Sequence, residues 1–144
     1  MELIPVSPTV KGPADRFFGD VYVTPISAPV EPLFLSAGVV HFMPGAHTNW
    51  HVHPTGQTLH VLAGVALVGT RDGAVVAAHA GETVTCDPAV EHWHGATSAN
   101  LAVHIAIVAA SADHDGTDWL EPVSSDEYTA AGRRFGSVVR LRRS

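Results

Sequence analysis

The chain has 144 residues, of which 46% are hydrophobic and 15% charged. That length supports one packed domain, and that balance excludes a disordered chain. The net charge of −6 conceals an asymmetry: five arginines fall within residues 133–144, leaving three basic against fourteen acidic residues before them. An acidic body of this kind is excluded as a nucleic-acid surface.

The opening residues, Met1-Glu2-Leu3-Ile4-Pro5, have neither the basic stretch nor the long apolar run of a secretory signal. Strands are expected over residues 20–24, 33–42, 49–53, 57–63, 65–70, 74–79, 83–86, 92–96 and 101–109, separated by Gly, Pro, Asn and Asp. Arg71-Asp72-Gly73 between two apolar runs is a hairpin signal, because glycine accepts the positive φ of a tight turn. The longest apolar run, residues 101–110, is too short to span a bilayer. A helix is expected over residues 126–131, with Ser124 and Glu127 at capping-box spacing and Gly132 as its stop. Many short strands and one late helix imply an all-β antiparallel sandwich or barrel over residues 1–132, followed by a basic tail over 133–144. The tail reads as a solvated or subunit-docking extension. The lone cysteine, Cys86, rules out an internal disulfide and sits without a neighbouring base, so a small buried hydrophobe is expected in a cytoplasmic protein.

The chemistry concentrates in Gly45-Ala46-His47-Thr48-Asn49-Trp50-His51-Val52-His53-Pro54-Thr55-Gly56-Gln57. Alternate residues of a strand share a face, so His51 and His53 can converge on one ion. Gln57 follows a turn and can bring its carboxamide oxygen to the same point. His92-Trp93-His94 repeats the arrangement 35 residues beyond Gln57, counted to His92. Three imidazoles and an amide oxygen suit zinc, iron, manganese, nickel or cobalt rather than calcium or magnesium. The expected ligands are His51, His53, Gln57 and His92, holding one divalent transition metal per chain, with zinc first. Gln57 has an alternative role, hydrogen-bonding a metal-bound water, which leaves His94 or His104 as the fourth ligand.

Gly45-x5-His51-x-His53-x3-Gln57-x6-Gly64 resembles the first motif of the cupin superfamily, with Gln57 in place of the usual glutamate. Residues 81–92 resemble the second motif, with one extra residue before Pro88 and Val90 where glycine is usual. The resemblance implies a jelly roll and a homodimer. Within that superfamily, the stretch from Lys11-Gly12-Pro13-Ala14-Asp15 through Trp50-His51, Gly56-Gln57-Thr58-Leu59, His92-Trp93-His94-Gly95-Ala96 and Asp118-Trp119 is similar to two groups. These are the single-domain cyclases of aromatic polyketide pathways, such as that of resistomycin, and the cupin-type hydroxynitrile lyases. Both imply a mononuclear divalent metal under a largely apolar pocket and non-redox carbon–carbon chemistry.

Neutral ligands leave the ion its full double charge, which favours enolate formation and lowers the pKa of a bound water to about 7 in good cases. The leading expectation is a cyclase closing a poly-β-ketone by aldol condensation and dehydration. A carbon–carbon lyase of the hydroxynitrile kind and a mononuclear iron dioxygenase are the alternatives, and a small-molecule sensor or storage protein is the non-enzymatic one. His94, on the face of His92, and His104 are candidates for moving a proton, or for orienting a ligand. Thr48 is a candidate substrate or water contact, or a strand-end cap. Alternation turns Trp50 and Trp93 away from the ion into outer packing, while Phe42, Val40, Leu59, Val61 and Ile105 are expected around the cavity. The substrate expected there is small, polycarbonyl or aromatic, and largely apolar. His41, His47, His60, His79 and His114 lack a convergent partner, and Asp113-His114-Asp115-Gly116-Thr117-Asp118 reads as a solvated acidic turn.

Overall fold

A computed structural model describes residues 1–136; the tail arginines Arg140, Arg142 and Arg143 lie outside the described residues. The described residues form twelve strands in order: β1 Val10–Lys11, β2 Phe17–Phe18, β3 Val21–Ser27, β4 Leu35–Phe42, β5 His47–Thr48, β6 His51–Val52, β7 Gln57–Thr70, β8 Val75–His79, β9 Thr83–Cys86, β10 His92–Ala96, β11 Ala102–Ala109 and β12 Asp118–Trp119. One helix follows, α1 Ser125–Gly136. Every pairing is antiparallel. The result is a curled antiparallel jelly roll, as expected. Among the described residues no helix is long and apolar enough to cross a membrane.

Strand β7 joins the two halves of the roll. Its first half pairs with β11 and β9, and its second with β10 and β8. The sequence suggested two strands separated at Gly64. The chain instead runs continuously through it, because Gly64 adopts φ +74° and lies against the Leu101 carbonyl, where a Cβ would stand 1.8 Å from the oxygen. Glycine bends the strand without ending it. The expected strand over residues 49–53 shrinks to His51–Val52. Asn49 N–H bonds Arg16 O and Trp50 N–H bonds Glu121 O, so incoming loops replace a regular ladder there.

Two apolar layers sandwich the inner sheet. Phe42, Val21, Val61 and Ala102 are fully buried between the halves, each large side chain contributing about 1.5–3 kcal/mol. On the outer face of the other half, Trp50, Leu67 and Trp93 pack under Val123 and Ala131, with Tyr128 and Phe135 alongside. The outward direction inferred for both tryptophans is therefore where α1 docks. Gly69 lies opposite Trp93, and its missing Cβ makes room for the indole. The capping box forms: Ser124 N–H donates to Glu127 Oε2 at 2.8 Å and Glu127 N–H to Ser124 Oγ at 3.1 Å. Gly132 does not stop the helix, which continues to Gly136 because Phe135 packs on the tryptophan layer and Arg134 donates to the Gly73 carbonyl at 2.8 Å.

Candidate metal centre

Three elements bring the ligand candidates together. His51 on β6 pairs with His92 at the start of β10, and Trp119 on β12 pairs with His51 from the other side. His53 follows β6 and is fixed by its carbonyl, which accepts from Gly56 N–H at 3.1 Å and Ala89 N–H at 3.0 Å. Gln57 opens β7. The three buried histidines offer ligand nitrogens that all lie within 4.8 Å of one another, a geometry able to hold a metal ion.

Hydrogen bonding fixes which nitrogen each ring presents. Nδ1 of His51 donates to Asn49 O at 2.9 Å, Nδ1 of His53 to Gly116 O at 2.8 Å, and Nδ1 of His92 to Val90 O at 2.9 Å. A carbonyl can only accept, so each Nε2 keeps a bare lone pair. His53 Nε2 is buried without a hydrogen-bond partner. The Gln57 Oε1 and His92 Nε2, two acceptors, lie 2.8 Å apart. Turning the Gln57 amide would satisfy one lone pair and leave the others. Converging bare acceptors in a buried pocket are what a cation satisfies and water-poor packing does not. The site therefore fits a divalent transition metal.

Electrostatics prepares the same state. Burial, aided by the neighbouring His92, holds His51 down at about 3, and burial holds His92 at about 4. His53 is lowered by burial as well. All three are held neutral at neutral pH, so a metal ion arriving there would have no proton to displace.

His51, His53 and Gln57 line a cavity of about 480 Å³, and His92 stands behind them. Its wall is mostly apolar, with Phe17, Val23, Val40, Ala106 and Val108, and it also carries Thr48, His51, His53, Gln57 and His94. Of the five apolar residues expected there, Val40 lines it. Phe42 packs behind, its ring 5.9 Å from that of His94 and 5.2 Å from that of His104. Leu59 and Val61 face the core, and Ile105 alternates to the outside of β11.

The proton-moving candidates separate. His94 lines the cavity with its ring 5.0 Å from that of His51 and 6.0 Å from that of His92. Burial first, then the facing His104, holds it well below the usual histidine range. His104 stands behind it, wholly buried, its Nε2 2.9 Å from His94 Nδ1. Burial holds His104 at about 4, and its own Nδ1 has no partner. Thr48 Oγ1 accepts the His94 backbone N–H at 3.1 Å, which leaves the hydroxyl proton available to a molecule in the cavity.

The loop read as a solvated acidic turn is part of the site. Gly116 O and Thr117 Oγ1 sit 2.8 and 3.2 Å from His53 Nδ1, and Asp115, Thr117 and Trp119 line the cavity. Trp119 lies 4.8 Å from the His51 ring. No local pattern marks these contacts, because they depend on β12 pairing with β6 across some sixty residues of sequence. His47 is also buried, stacked between Phe18 and Tyr128 on the outer layer, in a structural role. Cys86 is buried, and burial lifts its thiol to about 11.

The model of the cupin domain family matches residues 38–108, which span both histidine motifs. The chain is 41% identical over 118 residues to the (R)-mandelonitrile lyase of Granulicella tundricola, covering 82% of this chain and 89% of that enzyme. A cupin-like protein from Thermotoga maritima superposes with a TM-score of 0.79 at 32% identity, over 91% of this chain and 97% of the other. A polyketide cyclase from Streptomyces resistomycificus shares the fold at a TM-score of 0.61 and 16% identity, over 77% and 83% of the two chains. Matched over 89% of one relative's length and by a domain model that covers both histidine motifs, the chain belongs to the cupin family.

Proposed function

We propose that this protein is a metal-dependent carbon–carbon lyase that splits an α-hydroxynitrile into an aldehyde and hydrogen cyanide, and joins them in reverse. The supporting observation is His94, an imidazole beside the three converging histidines that faces the cavity and has its other nitrogen engaged by His104. The 41% identity to a mandelonitrile lyase supports the substrate class and moves this reading ahead of the cyclase expectation.

His51, His53, His92 and Gln57 would hold one divalent transition ion. When bound, it supplies Lewis acidity that favours the oxygen-anion form of the hydroxyl or carbonyl at the reacting carbon. His94 Nε2 takes the hydroxyl proton, and the oxygen electron pair closes the carbonyl as the bond to the nitrile carbon breaks. That bond's electron pair leaves with cyanide, and His94 returns the proton to give hydrogen cyanide. His94 can accept at Nε2 when its Nδ1 proton is donated to His104, so His104 positions the proton rather than touching substrate. Thr48 Oγ1 donates to the substrate oxygen, and Phe17, Val40, Ala106 and Val108 surround its organic group.

The test is incubation of the metal-loaded protein with racemic mandelonitrile, following cyanide and the enantiomer consumed. Cyanide release above buffer that disappears in His94→Ala is expected; none above buffer ends the lyase reading. Elemental analysis identifies the ion, with about one zinc per chain expected because imidazole nitrogens and one amide oxygen match the donors zinc usually takes, against manganese, iron, nickel or cobalt.

A second reading, aldol closure of a poly-β-ketone, draws support from the reach of the apolar wall to Val10, Pro13 and Pro29. Conversion of an open polyketide to a ring by the purified protein tests it. The outer face of β3, β4 and β11, with Val39, Ile105 and Ile107 half-buried and no helix over it among the described residues, supports a homodimer, which light scattering checks.

A further inference from the structure

Arg16 stands at the outer part of the cavity with its charge uncommitted. Besides the histidines, the charged side chains lining the cavity are Lys11, Arg16 and Asp115. Lys11 is paired with Asp20 at 3.2 Å. Asp115 accepts the Thr117 N–H at 3.1 Å and lies 3.9 Å from His114 Nδ1. Among the described residues, no carboxylate lies within ion-pair distance of Arg16.

Its position is nevertheless fixed. The turn over residues 13–17 is closed by Arg16 N–H and Phe17 N–H, both donating to Pro13 O at 3.1 Å. Asn49, two residues before His51, ties that turn to the ligand segment: its backbone N–H donates to Arg16 O at 2.8 Å and its side chain to Asp15 O at 2.9 Å. The guanidinium carbon lies 5.5 Å from the Trp119 ring centre, and the same indole lies 4.8 Å from the His51 ring. A guanidinium stacked on an indole keeps its in-plane donors free, and those donors match the two oxygens of a carboxylate. The apolar wall then separates a cationic outer point from the histidine end.

We propose that Arg16 is an anion-binding subsite, and that the substrate of this cavity carries a carboxylate at the end remote from the carbon that reacts. This rests on the lyase reading for the reacting end only. A neutral aryl hydroxynitrile would then be a surrogate that leaves half of the recognition unused.

The test is calorimetric titration of the metal-loaded protein with benzaldehyde and with 4-formylbenzoate. The carboxylate-bearing aldehyde is expected to bind about tenfold more tightly, the scale of one charge-assisted hydrogen-bonded pair. That preference disappears in Arg16→Gln, is partly kept in Arg16→Lys and weakens with added salt. Arg16 is exposed, so the substitution leaves the core intact. Equal affinity for the two aldehydes overturns the proposal. So does a preference that survives Arg16→Gln, which is what a carboxylate bound at the metal would give, and so does failure of 4-formylbenzoate to bind. The titration reads binding alone, so a protein that releases no cyanide from mandelonitrile can still pass it, and the two failures remain separate.

Discussion

His94 Nδ1 and His104 Nε2 lie 2.9 Å apart behind the cavity wall, and both rings are buried. Of this pair His94 reaches the cavity and His104 does not. The two should therefore respond differently to substitution. His94→Ala is expected to lower turnover by about 10² to 10⁴ while one metal per chain is retained. His104→Leu removes the partner that orients His94, so kcat should fall about tenfold with KM little changed, and His104→Gln, which keeps a polar group there, should restore part of it. Steady-state kinetics with metal analysis on each variant checks this. Equal KM and kcat effects in His104→Leu would reduce that residue to packing.

Gly64 carries the bend of β7 on a left-handed backbone pressed against Leu101. Gly64→Ala adds about 1–2 kcal/mol of backbone strain, and the clash with the Leu101 carbonyl adds more. For a chain of this size each kcal/mol lowers Tm by about 2–4 °C. A melt of the metal-loaded variant should therefore shift down by at least about 4 °C. An unchanged Tm would mean that the strand does not need its bend.

These two positions also mark what a sequence can reveal. Alternation was enough to put His51 and His53 on one side, since that geometry is local to strands, and the repeated His-x-His spacing singled out His92, which reaches them only through the pairing of β10 with β6. Trp50 and Trp93 pointed outward by the same alternation. Gly64 was visible as punctuation, but a turn and a bend carry the same signal. Gly116, Thr117 and Trp119 were not legible as part of the site, because their approach depends on a pairing between distant segments. His104 was a candidate for moving a proton, yet only the packing of Phe42 and His94 puts it behind the cavity wall. The end of α1 was misjudged at Gly132 because tertiary contacts of Phe135 outweigh a weak helix former.

The donor set makes a further prediction. His92→Ala should reduce bound metal from about one per chain to near zero, as it removes one of three convergent imidazoles. Gln57→Glu should retain metal more tightly but turn over more slowly, because the carboxylate cancels part of the charge that the reaction uses. Chelation of the wild type should lower its Tm by about 5–10 °C, since a ligand present at a hundredfold over its Kd contributes about 2.7 kcal/mol. Metal content and melts on the same samples decide it. Full metal occupancy in His92→Ala would place the ion elsewhere.

Acid should unfold the metal-free protein through two of these histidines, His51 and His92, together with His104. In the unfolded chain they titrate near 6.5, while in the folded protein burial holds His51 at about 3 and His92 and His104 at about 4. Above pH 6.5 both states are neutral and the full stability is present. As pH falls from about 6.5 toward 4, the unfolded state takes up protons that the folded state refuses, so stability drops by about 1.4 kcal/mol per pH unit for each ring. Three such rings amount to about 4 kcal/mol per unit, a large share of what a domain has. Below the folded values the loss levels off. Tm of the metal-free protein should accordingly hold between pH 7 and 8 and collapse between about 6 and 5. The metal-loaded protein should hold to lower pH at first, because a bound ion occupies the lone pairs that protons must reach, and then fall steeply as the ion is released. Melts of both forms across that range read the difference. A flat curve for the metal-free form would show that these imidazoles are not kept neutral by burial, and would remove the electrostatic reason for neutral ligands at the site.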